Sequence, residues 1–305
     1  MHLFITNHDD FNRTFPDEEK CLEYLRKLRF SENSHTCLNP KCGSTEFRRV
    51  KRNYSYECKK CGRQKSVLAG TLFQDTHKPL RLWFEAIRLI VLDIKTNKRT
   101  TASEIKEKLA PISPRTVWIW LNKLWRMMAF IGSKERLSGK IKIGRAYIKI
   151  PQLQNGRRKI KNKHVAIAME LPPKPKRRIR VAILANDNED SLKTFIQNTK
   201  EKSATYEIDN DFGYLNDITL SEIIKWGNPK LAKDASLKNT ISSIEKWFEK
   251  ISVNANFRTH LPCYLDEYSF CHNYGKTMSE EKLFAFLMEN ALRLNPTVYL
   301  NTENN

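Results

Sequence analysis

Acidic residues and glycine are both scarce in this 305-residue chain: 34 Asp plus Glu stand against 54 Lys plus Arg, and there are ten glycines. With 40% hydrophobic residues and so little glycine, a globally disordered chain is not expected. The acid deficit leaves a formal charge of +20, which makes a polyanion, nucleic acid or an anionic membrane, the first expected partner. Long apolar runs are missing too. The longest, IRLIVLDI, is cut by Asp93 and falls short of the roughly 20 residues that a span requires, so membrane residence is not expected. The opening MHLFITNHDD has neither the basic start nor the apolar stretch of a secretory signal, which predicts a cytoplasmic protein. At about 100–200 residues per domain, the length allows two or three modules with real cores and no need of disulfide staples.

Four of the seven cysteines are grouped, as Cys37-x4-Cys42 and Cys58-x2-Cys61, and the other three, Cys21, Cys263 and Cys271, are scattered. Paired cysteines in a reducing compartment read as a metal site, and two such knuckles supply the four thiolates of a closed, structural zinc. Gly43 and Gly62 each follow a second knuckle cysteine, where a positive φ turns amides back toward the sulfurs. The intervening STEFRRVKRNYSYE fits the β-hairpin of a zinc ribbon. One structural Zn²⁺ is therefore expected on Cys37, Cys42, Cys58 and Cys61. A fourth thiolate leaves no open position for catalysis. The scattered cysteines read as packed core thiols.

Helical periodicity appears on either side of this segment. PDEEKCLEYLRKLRF (16–30) predicts a helix with an acidic first turn. After the ribbon, a helix opened by Pro79 carries Trp83, Ile87, Ile90, Val91 and Ile94 on one face. Thr101-x-x-Glu104 forms a capping box, and AlaProIle at 110–112 stops that helix. Ser113 and Pro114 start another, with Val117, Trp120, Leu121, Leu124, Trp125 and Met128 as its buried stripe. Two helices about a tight turn make a helix-turn-helix pattern, whose second helix leads into the major groove with its N-terminal residues. Arg115, Thr116, Ile119, Asn122, Lys123 and Arg126 lie off the stripe and are the candidate DNA contacts there. A plain helical hairpin with a solvated basic face is the alternative.

Residues 134–180 hold sixteen Lys or Arg against two acids, Glu135 and Glu170, a net +14 of the chain's +20. Strand-like runs KIKIGRAYIKI, HVAIAMEL and RIRVAILA alternate there with the turn signals NGRR and PPKPKRR. A helix near 190–199 and a strand at ATYEID follow, which suggests a sheet covered by helices. The crowded charges, Arg157, Arg158, Lys159, Lys161, Arg177 and Arg178 among them, suit a face laid against phosphates.

Taken in order, FPDEEKCLEYLRKLRF, the two cysteine pairs, GTLFQDTHKPLRLWFEA, TVWIWLNKLWRMM, IEKWFEKI and YLDEYSFCHN resemble the zinc-ribbon insertion-sequence transposases, bacterial DDE-type relatives of the eukaryotic Merlin elements, from about Phe15 to Leu294. The resemblance implies a multidomain α+β chain: a zinc ribbon, a helix-turn-helix module, and a C-terminal ribonuclease-H-like α/β domain with a mixed sheet that cuts and joins DNA with two metal ions. The corresponding boundaries are an N-terminal helix in 1–30, the ribbon in 31–76, the helical DNA-binding module in 77–132, the ribonuclease-H-like domain in 133–275, and a closing helix and tail in 276–305.

That chemistry needs oxygen ligands converging on two Mg²⁺ ions. The family's pattern is two aspartates, a third polar ligand and a lysine. Here Gly144 and Arg145 stand at the first aspartate and its neighbour, Asp209 keeps the second, and Ser242 and Ser252 replace the ligand and the lysine. One aspartate cannot hold two Mg²⁺ ions, and Arg145 repels them, so no Mg²⁺ is expected there. The expectation is a transposase-derived, sequence-specific double-stranded DNA-binding protein without cleavage or strand transfer, reused as a regulator or architectural factor and located on cytoplasmic DNA. No membrane and no small-molecule substrate is expected as a partner. An active transposase using Asp187, Glu189, Asp190 or Asp211 as substitute ligands is the competing reading, and an RNA-binding or scaffold role is the third. A homodimer is an expectation inherited from the family; the stripe from Val117 to Met128 or the closing EEKLFAFLMENALRL could offer it an apolar face, but internal core is the preferred reading of both.

Overall fold

A computed structural model of the chain describes residues 7–30, 36–50, 54–109, 111–154, 157–171, 177–184, 189–208, 235–249 and 257–294. Two compact units are present, one formed by Met1–Met127 with Met278–Asn305, the other by Met128–Thr277.

The first unit is organised around an aromatic cluster. Helix α1 (His8–Thr14) is capped by Asn7, and α2 (Glu18–Arg29) by Asp17, whose side chain accepts the Lys20 amide at 2.8 Å. Phe11 of α1, Phe15 and Tyr24 of α2 meet Phe84 of α3 (Leu80–Lys95) and Phe284 of the closing helix of the chain, with ring centroids 4.8–6.4 Å apart. The sequence predicts one apolar stripe on α3. The helix is instead buried around most of its circumference, Glu85, Arg88 and Asp93 included, because α2, the closing helix and Trp120 all pack on it.

Between α2 and α3 lies the ribbon, a three-stranded antiparallel sheet of β1 (Phe47–Val50), β2 (Ser55–Cys58) and β3 (Gln64–Ser66). Side-chain bonds made over long sequence distances tie it to the helices. The Glu18 carboxylate accepts the Tyr54 hydroxyl at 2.6 Å and the Leu80 and Arg81 amides at 2.7 and 3.1 Å. Because Pro79 provides no side-chain cap, Glu18 satisfies the orphan amides at the start of α3 and complements its dipole. At the other end of α2 the Arg29 guanidinium donates to the carbonyls of Ser66, Val67 and Ala69.

Helix α4 (Ala102–Lys108) carries the expected Thr101–Glu104 capping box, and Ser113 accepts the Thr116 amide at 3.2 Å at the start of α5 (Pro114–Lys134). The Trp120 ring stacks on Trp83 at 4.1 Å.

In the second unit β4 (Lys140–Gln154), β5 (Arg157–Glu170) and β6 (Ile179–Ile183) form an antiparallel meander, and after α6 (Glu189–Thr199) strand β7 (Thr205–Ile208) joins parallel to β4, giving the order β6-β5-β4-β7. Ile141, Ile143, Ala166, Ala168 and Ile208 pack against Leu192, Phe195 and Ile196 of α6. Helix α7 (Ala235–Glu249) covers β4, and α8 (Phe257–Gly275) covers β6. Strand pairing continues to Gln154↔Arg157, so Arg157 and Arg158, read from sequence as turn residues, belong to β5. The sequence between β4 and β5 is Asn155-Gly156, a hairpin-turn signal.

Within the first unit, the closing helix, α9 (Glu280–Arg293), buries Leu283, Phe284, Leu287 and Met288 completely, and the Leu72 amide donates to the Ala291 carbonyl at 2.9 Å. Its apolar face is internal core. Replacing Phe284 by Ala is expected to destabilise this unit by about 3–5 kcal/mol. Hydrogen exchange checks this: protection should fall in α2, α3 and α9 and stay unchanged in the β4–β7 sheet.

Candidate metal centre and nucleic-acid interface

The Sγ atoms of Cys37, Cys42, Cys58 and Cys61 all lie within 4.8 Å of one another. Cys37–Cys61 are 3.4 Å apart and Cys42–Cys58 3.7 Å. Tetrahedral Zn–S bonds of about 2.3 Å require sulfurs roughly 3.8 Å apart, so one zinc fits. Cys58 ends β2 and opens the second knuckle, while Cys37, Cys42 and Cys61 lie outside the strands. Gly43 and Gly62 adopt φ of +62° and +72°, the left-handed conformation their positions predict. The Gly62 amide donates to the Cys58 carbonyl at 2.9 Å, and the Asn39 amide to the Cys37 sulfur at 3.4 Å.

Sulfurs this close cannot all ionise without a cation. The Asn39 amide favours the Cys37 thiolate, but burial and the neighbouring thiols outweigh it and push that thiol up to about 12. Burial also opposes ionisation of Cys58, yet the amides of Cys61 and Lys60, with the Cys42 and Ser44 side chains, bring it down to about 6. A divalent cation removes this conflict by stabilising all four thiolates together.

The candidate contacts of α5 separate into exposed and engaged residues. Arg115 is exposed, as is Ile119, and Trp118, which the sequence pattern does not single out, is 37% exposed beside them. Thr116 shares a 2.8 Å hydrogen bond with Ser113, and Asn122 donates to the Trp118 carbonyl at 2.8 Å. Arg126 is half-buried. Lys123 turns inward: its ammonium donates to the Leu72 carbonyl at 3.1 Å, and burial lowers its pKa. The same ammonium lies 5.9 Å from the centroid of the Trp83 ring, so this lysine supports the fold.

Among the basic residues of 134–180, Arg178 is likewise engaged. It donates to Glu170 at 2.7 and 3.1 Å and to the Arg136 carbonyl at 3.1 Å. Burial alone would raise the Glu170 carboxyl, but Arg178 and the Ser138 amide outweigh it and hold it below its ordinary value. Arg177 is half-buried. The backbone of Arg157, Arg158, Lys159 and Lys161 runs in β5, and their side chains lie outside the described residues. On the knuckles Lys41, Lys60 and Arg63 are exposed, a set of cations to which the cysteine spacing does not point.

Of the four positions aligned with transposase catalysis, Gly144 and Ser242 are described; Asp209 and Ser252 lie outside the described residues. Gly144 is buried in β4, and a Cβ there would lie 2.7 Å from Cδ2 of Leu237 on α7. Ser242 is exposed on α7. Ile143, the residue before Gly144, pairs with Ile208, the last residue of β7. Of the substitute acids, Asp190 is exposed on α6, the side chain of Glu189 is not described, and Asp187 and Asp211 lie outside the described residues.

Protein purified without chelators should carry one zinc per chain with Cys37, Cys42, Cys58 and Cys61 protected from alkylation. Because zinc requires thiolates, acidification should release it, together with the ribbon's β-structure. Elemental analysis and thiol alkylation across a pH series check both.

A family model described as a transposase zinc-ribbon domain matches residues 16–64. No curated protein and no solved structure matches the chain. Among the described residues no helix is long and apolar enough to cross a membrane. Residues 16–64, with α2 as well as the four-cysteine centre, are therefore similar to the zinc-ribbon domain of transposases.

Proposed function

We propose that the chain is a transposase-derived, sequence-specific double-stranded DNA-binding protein that grips DNA without cutting it, and that it serves as a regulator or architectural factor on cytoplasmic DNA. The observation that carries the reading is the transposase-type ribbon at residues 16–64 in a chain of charge +20. The exposed start of α5 supports it. A short helix, a turn and a second helix with Arg115, Trp118 and Ile119 at its exposed N-terminal end have the order of parts of a helix-turn-helix reader. Arg115 would address a guanine edge or a phosphate, and Ile119 a thymine methyl. Lys41, Lys60 and Arg63 add sequence-independent phosphate contacts from the ribbon.

The second unit favours a ribonuclease-H-like domain: a three-stranded meander whose first strand also receives a parallel fourth strand after a helix. Loss of cleavage is supported by Leu237. Its methyl groups occupy the space that an aspartate at position 144 would need, and the next residue in β4 is Arg145. A carboxylate-poor, arginine-bearing strand is a poor host for Mg²⁺ and a good neighbour for phosphate.

Equilibrium binding to duplex DNA and to duplex RNA of equal length tests the reading. Duplex DNA should be preferred, and affinity should fall by about 10³–10⁵ between roughly 50 and 200 mM salt, as for a protein neutralising 6–10 phosphates. Arg115→Ala should weaken binding about 5- to 150-fold. A preference for RNA, or salt-insensitive affinity, would overturn it.

A further inference from the structure

The face of the ribbon sheet turned toward α2 holds a pocket of about 180 Å³ lined by Arg26, Phe30, Thr45, Phe47, Tyr56 and Lys65. The strand register explains the lining. Arg49 pairs with Tyr56 and Tyr56 with Lys65, so Phe47, Tyr56 and Lys65 fall on one face, while Arg48, Glu57 and Gln64 fall on the other. The ribbon's Arg48–Glu57 ion pair is thereby confined to the outer face, and no carboxylate lines the pocket. Helix α2 supplies the opposite wall through Arg26, with Phe30 just past its C-terminus.

Two kinds of group converge there. Three aromatic rings contribute apolar walls, and two cations lie against them: the Arg26 guanidinium is 5.8 Å from the centroid of Tyr56 and the Lys65 ammonium 3.8 Å from that of Phe30. Arg29 adds a third positive charge 5.6 Å from the Phe30 ring. Burial first, and crowding by Arg29 second, lower the Lys65 pKa. An anion would relieve this repulsion, and a cationic ligand would increase it. An engineered cavity of about 150 Å³ in another protein accommodates benzene, so a pocket of this size takes one six-membered ring and excludes a duplex.

We infer that this pocket binds a single unpaired pyrimidine nucleotide, its base against Tyr56 and Phe47 and its phosphate between Arg26 and Lys65. Stacking on aromatic rings beside a cationic track is the chemistry by which proteins hold unpaired nucleotides. The proposed function bears on this only as the source of the nucleotide, an unpaired base within the bound DNA; a free pyrimidine nucleotide offers the same chemistry.

The test compares binding of the full-length, zinc-loaded protein to labelled hexathymidylate and to an abasic strand with the same number of phosphates, at one salt concentration. Hexathymidylate should bind about tenfold tighter or more, the size of one base–aromatic stack. Tyr56→Leu should abolish that difference, Tyr56→Phe should keep it, and Lys65→Gln should weaken both strands alike. Zinc content monitors folding of the Tyr56 variant, and Phe47→Leu replaces it if zinc is lost. Displacement of hexathymidylate by thymidine monophosphate assigns the pocket to free nucleotide, and resistance to it assigns the pocket to a strand. Equal binding of the two strands by the unaltered protein, or an undiminished difference in Tyr56→Leu, would overturn the inference. A blunt duplex measured in parallel separates the two readings: failure there with base-dependent binding intact counts against the proposed function alone.

Discussion

Four sulfur atoms confined within 4.8 Å of one another set the terms for the first unit. Like charges at that spacing repel strongly unless a cation sits among them, so the knuckles close on metal or do not close. The consequences extend beyond the ribbon. Cys58 is the last residue of β2, and Tyr54, just before that strand, donates to Glu18, the carboxylate that also satisfies the first amides of α3. Arg29 fixes the strand leaving the ribbon to the end of α2. Metal, ribbon and helical core are thus connected through two side chains of one helix. A family match that begins at residue 16 and includes α2 has a physical reason in those bonds.

The second unit shows a different economy. Its sheet is covered on both faces, and the helix over β4 places Leu237 against Gly144. Position 144 has no side chain, and the methyl groups of Leu237 fill the space beside it. Positive charge remains abundant in the same strands, although Arg178 is tied to Glu170 and serves the fold. Charge counts from sequence therefore overstate the surface available to phosphate.

Much of this was legible in the sequence because it depends on local rules. Cysteine spacing located the metal centre, the glycines after the second cysteines have the positive φ that their positions require, and Thr101 with Glu104 forms its capping box. The strand runs of 140–185 emerged in order because alternation and Asn-Gly turns are short-range signals. The remaining features have no local signature. Glu18 reaches a residue 62 positions away, α9 returns to pack on α2 and α3, and Lys123 differs from Arg115 only in having Leu72 and Trp83 within reach. The basic residues after Asn155-Gly156 read as a turn because composition, unlike pairing, cannot show where a strand begins. The pocket beneath α2 was equally invisible, since its walls come from a helix and three strands whose packing is tertiary.

Gripping DNA without cutting it is the central claim, and the most direct measurement is a nicking and strand-transfer assay with Mg²⁺ or Mn²⁺ on a duplex the protein demonstrably binds. The account predicts intact DNA in both metals. Metal-dependent cleavage that Asp209→Ala abolishes would contradict it.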